Sequence, residues 1–320
     1  MVIGAGVVGL TIARQLSIDG RSVLVLESAD TIGSGISSRS SEVVHAGLYY
    51  GSGTLKAKCC VAGRMRLRDY CLERGIGFRQ CGKLIVAESP DQLAALARIK
   101  TQGEFNGVLD LQMLDAARAR MLEPELRCAG ALLSPSSGIV DSHQFMLALQ
   151  GDAEAHGCQV VLRTPVTGGR IVAGGIVLST GPTDPAEIHA KLAVNCTGLA
   201  AQPLALSIAG FDHARVPPLH LAKGTYFSLS GKAPFSRLVY PVPEAGGLGI
   251  HFTLDLAGTG RFGPDVEWID SPNYDVDARR AMMFQQRIAH YWPGLDPGRL
   301  QPAYAGIRPK IARPGGAATD

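Results

Sequence analysis

Apolar positions along this chain fall into short continuous runs and longer stretches of helical spacing. Residues 1–4 read as the end of a buried strand, about 7–19 as a helix, and VLVLE (23–27) as a second apolar strand. A polar stretch rich in glycine and serine, GSGISSRSS (33–41), follows. From Thr54 to about Glu73 a helical pattern runs through Leu55, Cys59, Ala62, Arg66 and Tyr70. GKLIVA (82–87) predicts a strand, and PDQLAALARIKTQGEFNG (90–107) a helix that a glycine ends. Residues 132–157 predict a strand, a turn and a helix capped by Asp141 or Ser142. CQVVLRTPV (158–166) is a further strand, 168–190 a short hairpin with loops around IVLS, and KLAVNCTG (191–198) an apolar strand ending in Thr-Gly. Between 219 and 269 glycines and prolines break up several strands, among them GTYFSL, RLVYPV and GLGIHFTL. DARRAMMFQQRIAHYW (277–292) sets Ala281, Phe284, Ile288 and Tyr291 at the spacing of a core-facing helix.

A β/α opening that returns at 132–198 after an interruption implies a discontinuous domain, with a second, sheet-rich domain built from the interruption and the stretch after 218. The length, 320 residues, suits two cores better than one. Composition changes this picture little: 46% hydrophobic and 18% charged residues describe a well-packed globule, not a disordered chain. The formal charge of +3 gathers into no basic face for nucleic acid. Seven cysteines form no C-x-x-C pair and no Cys/His metal spacing, so no metal is expected and reduced thiols in a cytoplasm are the default. Cys59 and Cys60 are expected as buried helix residues. No apolar stretch approaches the ~20 residues that span a bilayer. MVIGAGVVGLTIA lacks a basic n-region and a cleavage site, so it reads as structure and not as a leader.

The chemistry starts at Gly4-Ala5-Gly6-Val7-Val8-Gly9, which fits G-x-G-x-x-G between a strand and a helix. The first glycine permits a tight turn, the second lets backbone approach a pyrophosphate, and the third lets helix and strand pack. A helix N-terminus offers N–H groups and partial positive charge to the phosphates. Glu27 ends the second strand at about the distance, ~20 residues, expected of the carboxylate on a ribose hydroxyl. A carboxylate there repels a 2′-phosphate, which disfavours NADP and leaves FAD and NAD. The N-terminal placement, the hydroxyl-rich loop Ser37, Ser38, Arg39, Ser40 and Ser41, and the apolar strand ending in Thr-Gly favour FAD.

At SSRSSEVVHAGLYYGSGTLKAKCCVAG (37–63) the chain resembles FAD-dependent oxidoreductases of the D-amino-acid oxidase superfamily. Within them it is most similar to the L-2-hydroxyglutarate dehydrogenase/oxidase group. The resemblance continues through CGKLIVA (81–87), SGIVDSHQFM (137–146), KGTYFSL (223–229), YPVP (240–243), GLGIHFTLDLAG (247–258) and GIRPK (306–310), nearly the whole chain. It implies an α/β fold, a Rossmann-like FAD-binding domain with a discontinuous, mixed-sheet substrate domain. The expected segments are 1–80, 137–217 and 305–320 for FAD, and 81–136 and 218–304 for substrate. The implied chemistry is oxidation of L-2-hydroxyglutarate to 2-oxoglutarate with noncovalent FAD, the electrons passing to oxygen or a quinone. Quinone would allow peripheral membrane contact. The family's pattern continues past GIRPK with a glycine-rich stretch and a closing helix. This sequence instead runs ARPGGAATD, so the last FAD segment is expected to be truncated.

FAD is expected along Gly4, Gly6, Gly9, Glu27 and the loop 37–41, passing Val166 and Gly198. Oxidising an α-hydroxy acid moves its Cα hydrogen as hydride to flavin N5 while the hydroxyl loses a proton, for which a histidine is a suitable base. His45 in VVHAGLYY is the candidate neighbour of the flavin and His251 in GIHFT the candidate base. The α-carboxylate calls for a bidentate arginine, and Arg308 in GIRPK matches the position where related oxidases hold it. Tyr49, Lys223 and Tyr240 are candidates for the distal carboxylate, although a lysine ahead of a strand is ordinarily just solvated. One alternative is amine oxidation of the glycine- or sarcosine-oxidase kind, which needs no base acting on oxygen. A second is a truncated, catalytically inactive flavin fold.

Overall fold

A computed structural model describes residues 1–181, 185–243, 249–313 and 315–316. Part of the predicted loop 168–190, the start of GLGIHFTL (247–248) and most of the last residues of 305–320 lie outside the described residues. The chain divides into two compact units. Met1–Ser40, Ser142–Leu221 and Arg308–Gly316 form the first; Ser41–Asp141 and Ala222–Ile307 belong to the second.

The first unit holds a four-stranded parallel sheet in the order Val194–Asn195, Val2–Ile3, Leu24–Leu26, Gln159–Val161. Its central strands, Val2–Ile3 and Leu24–Leu26, are short apolar runs because buried parallel strands need both faces apolar, whereas Asn195 and Gln159 on the outer strands are exposed. Helices Val7–Ile18 and Ser142–Ala155 are neighbours, and Arg14 reaches Asp152 at 2.7 Å. Ser142 is the first helical residue, so of the two candidate caps Asp141 takes the N-cap position. The hairpin Val166–Val172/Gly175–Thr180, with Glu187–Ala190 on one side and Ile208–Ala209 on the other, makes a second sheet. Ile3, Leu178, Leu204 and Ile208 cluster in the core.

The second unit is built on a large mixed sheet. Its order is Glu267–Ile269, His220–Leu229, Gly260–Phe262, Phe252–Leu254, Leu238–Pro241, Lys83–Ala87, Gly130–Ser134, Gln112–Asp115; Leu300–Lys310 also pairs with His220–Leu229. Phe227, Phe252, Phe262, Phe284, Tyr291 and Trp292 pack in its core. Phe284, Ile288 and Tyr291 are fully buried, as their helical spacing predicts.

Several expectations need correction. The first exchange between units falls at Ser40/Ser41 and not near residue 80, because Val43–Val44 and Phe78–Arg79 both pair with Gly138–Val140. Helix Leu55–Arg74 forms, capped by the Thr54 hydroxyl and ended by left-handed Gly75, but its inner face is Ala57 and Cys71. Leu55 is 67% exposed, and Ala62 and Arg66 face outward. Cys59 is accordingly exposed and Cys60 half-buried; all seven thiols are free. The predicted helix 277–292 is regular only over Ala281–Ile288; Ala278–Arg280 form a 3-10 turn capped by the Asp277 carboxylate, and the helix ends before Trp292 and its following proline. Strand Gln112–Asp115, helix Ala116–Leu122 and strand Leu300–Lys310 carry no sequence signal of the kind used above.

Candidate functional site

The glycine turn in the first unit is built as its spacing requires. Gly4 has φ +100°, and a Cβ there would lie 2.6 Å from the Cys196 carbonyl oxygen. A Cβ on Gly9 would lie 2.0 Å from the Gly4 oxygen, so helix and strand meet only because residue 9 has no side chain. Helix Val7–Ile18 starts at Gly6 with no side-chain cap and no acidic residue in its first turn, leaving its positive end unneutralised locally. The Ser37 hydroxyl accepts from Val7 N at 3.0 Å and Glu27 Oε2 accepts from Ala5 N at 2.7 Å. Glu27 Oε1 takes Ala29 N at 2.9 Å, and the carboxylate keeps lone pairs for a ribose hydroxyl. Ser37–Arg39 form a short 3-10 turn, with Ser40 closing the unit and Ser41 opening the next. Gly198, at φ +61°, lies against Ile36. Val166 opens the hairpin strand beside a 210 Å³ cavity lined by Leu26, Arg163, Thr164, Pro165 and Gly181. These residues fit an anionic dinucleotide: a turn too tight for side chains, a helix start whose own N-cap residue has no side chain, and a carboxylate at the next strand's end.

In the second unit the structure gathers His45, Tyr49, Tyr240 and His251 around a residue that the sequence reading passed over, Lys83. Tyr240 and His251 stack at 3.6 Å between ring centroids and 10° between planes. Lys83 is fully buried on the strand next to Tyr240, its Nζ 4.8 Å from the Tyr240 ring centroid and 5.1 Å from that of Tyr49. Its Nζ has no hydrogen-bond partner among the described residues. Burial pulls the lysine down to about 7. Burial also pushes the Tyr49 phenol well up. His45 accepts from Gly47 N at 3.2 Å through Nδ1 and touches Cys60 Sγ at 3.7 Å through Nε2. Burial first, then the Lys83 charge, lowers His45 to about 4, so it is a neutral imidazole with its proton on Nε2.

Lys223 is not available in the same way: it is buried and its Nζ donates to the Asp275 carbonyl at 2.6 Å. Arg308 sits half-buried near the end of strand Leu300–Lys310 and pairs with no carboxylate among the described residues. A groove of 730 Å³ in the second unit is lined by Leu122, Glu123, Phe235, Ser236 and Gly258 but by none of the expected site residues. Glu123 there is committed to structure, holding Arg237 at 3.0 Å and Ser236 N at 2.9 Å. The sequence signal for Lys83 was present: a lone charge inside the apolar run GKLIVA is either unburied or held for a reason.

Residues 1–318 match the DAO family, FAD dependent oxidoreductase. The chain belongs to this family. It is 44% identical to the mitochondrial L-2-hydroxyglutarate dehydrogenase of Arabidopsis thaliana, over 98% of this chain and 73% of that protein. It is 28% identical to the L-2-hydroxyglutarate dehydrogenase of Salmonella houtenae, over 100% of this chain and 84% of that one. Among solved structures, the fold is shared with L-α-glycerophosphate oxidase from Mycoplasma pneumoniae with FAD bound (TM-score 0.87, 24% identity, 97% of this chain and 82% of that one). Glycine oxidase from Geobacillus kaustophilus also shares it (TM-score 0.81, 22% identity, 97% and 82%). The protein is thus an FAD-dependent oxidoreductase with the mixed α/β fold of that family. No helix among the described residues is long and apolar enough to cross a membrane.

Proposed function

We propose that this oxidoreductase converts L-2-hydroxyglutarate to 2-oxoglutarate. The observation that carries the reading is the 44% identity to the Arabidopsis enzyme of that name over nearly the whole chain. A basic, aromatic cluster with a stacked imidazole supports it as a place for an acidic substrate. Gly4, Gly6 and Gly9 would hold the FAD diphosphate and Glu27 a ribose hydroxyl, with Ser37–Ser41, Val166 and Gly198 lining the cofactor. When bound it supplies the acceptor for the substrate's Cα hydride. Arg308 fixes the α-carboxylate through a two-pronged hydrogen bond. His251 takes the hydroxyl proton on a ring nitrogen while Tyr240 holds the imidazole plane by stacking. His45, with Nδ1 already an acceptor and its basicity suppressed, shapes the site as a neutral ring. Oxygen or a quinone would be the final electron acceptor. Free thiols fit a reducing compartment, the cytoplasm or a mitochondrial matrix, and the Arabidopsis relative is named as mitochondrial; fractionation of the native cells decides between them.

The test is anaerobic mixing of the FAD-loaded protein with hydroxy and amino acids, watching the flavin band near 450 nm. L-2-Hydroxyglutarate is expected to bleach it. Bleaching by glycine or sarcosine instead establishes amine oxidation, and a protein that takes up no FAD establishes an inactive fold.

A further inference from the structure

Lys83 is the cation in this cluster that the fold leaves unsatisfied. An ammonium carries three donors, and a buried polar group ordinarily finds an acceptor. Here Nζ has none among the described residues, and the rings of Tyr49 and Tyr240 face it. Ring faces attract a cation but do not replace an anion. The other buried lysine considered for this role, Lys223, already donates to the Asp275 carbonyl. Strand pairing fixes Lys83 firmly: it stands opposite Leu238 on one side and Ser134 on the other, in mid-sheet. Tyr240, which Lys83 approaches, is the ring stacked on His251, so the unpaired charge and the proposed base share one neighbour. His45, the remaining titratable group of the cluster, also feels the Lys83 charge.

Resting on the hydroxy-acid reading above, we propose that Lys83 is the specificity-determining residue for the distal carboxylate, pairing with it between Tyr49 and Tyr240 and selecting dicarboxylates over monocarboxylic hydroxy acids. A carboxylate entering the cluster supplies the acceptors that the strand and the two rings lack. Charge-assisted hydrogen bonds of this kind are the strong ones. The neutral imidazole of His45 adds no competing cation at physiological pH.

The experiment uses the FAD-loaded full chain and two readouts. Calorimetry measures binding of glutarate, a dicarboxylate that cannot be oxidised at a hydroxyl, and of valerate, which lacks the second carboxylate. Anaerobic flavin bleaching compares L-2-hydroxyglutarate with L-2-hydroxyvalerate. Lys83→Met is expected to weaken glutarate binding by about 10- to 100-fold, the worth of one charge-assisted contact, and to collapse the preference over the monocarboxylate by a similar factor. Lys83→Arg, which keeps the charge, is expected to recover part of both, and Lys83→Gln, which removes it, replaces the Met variant if that one fails to fold. Unchanged glutarate affinity in Lys83→Met, an equal loss for valerate, or no glutarate binding by the wild type overturns the assignment. If glutarate binds through Lys83 but L-2-hydroxyglutarate does not bleach the flavin, the Lys83 assignment stands and the hydroxyglutarate reaction falls.

Discussion

At the scale of single residues, two histidines that look alike in sequence diverge in the fold. His45 has one nitrogen bound to Gly47 N and the other against a thiol, and burial holds it at about 4. A base must be able to take a proton near the working pH, which His45 cannot do. His251 is buried in a stack with Tyr240. Replacing His251 with Asn is therefore expected to lower kcat by about a hundred- to ten-thousand-fold, the worth of a general base. The effect on kcat of His45→Asn is expected to be much smaller. Single-turnover flavin reduction measures both, and equal losses contradict the division of roles. Both histidines were visible as candidates in the sequence because each sits in a segment resembling the family. Their different surroundings were not visible, because burial, the Lys83 charge beside His45 and the Tyr240 ring against His251 are brought there by the fold.

At the scale of elements, the strand–turn–helix of residues 2–18 was legible because every part of it is local: an apolar run, three phased glycines and a helical stretch. The contact that makes Gly9 obligatory, its approach to the Gly4 oxygen, is internal to the motif. Gly9→Ala is expected to cost about 1–3 kcal/mol through overpacking and to release bound flavin. Gly151→Ala, in a helix where an added Cβ meets nothing within 4 Å, is expected to stabilise by about 0.5–1 kcal/mol and to leave flavin bound. Thermal midpoints and the flavin-to-protein absorbance ratio check both signs. The helix Leu55–Arg74 was legible as a helix but not in its orientation. Its caps are local, whereas its inner face was set by which side met the rest of the second unit, and polar and apolar residues share all sides of it. Strand Leu300–Lys310 was missed because its pairing partner, His220–Leu229, lies far away in sequence, and alternation is absent from QPAYAGIRPK.

At the scale of the whole molecule, Lys83 ties stability to pH. Its value falls from the ordinary 10.5 to about 7 because burial penalises the charged form. Below about 7 both folded and unfolded chains hold the proton and the full cost of the buried charge is present. As pH rises from about 7 to 10.5 the unfolded chain binds more protons than the folded one, so stability increases through that window. The wild type minus Lys83→Met difference in unfolding free energy, measured by denaturant titration at several pH values, is expected to rise over this window. A flat difference means that the lysine is hydrated. By itself the sequence determined the phased glycine turn, the two-part α/β architecture and the family, since these rest on local spacing and on motifs kept in order. Tertiary structure alone decided which strand sits in mid-sheet and which cation lost its water. Burial and pairing are properties of neighbours brought together across the chain, and no run of residues encodes them separately.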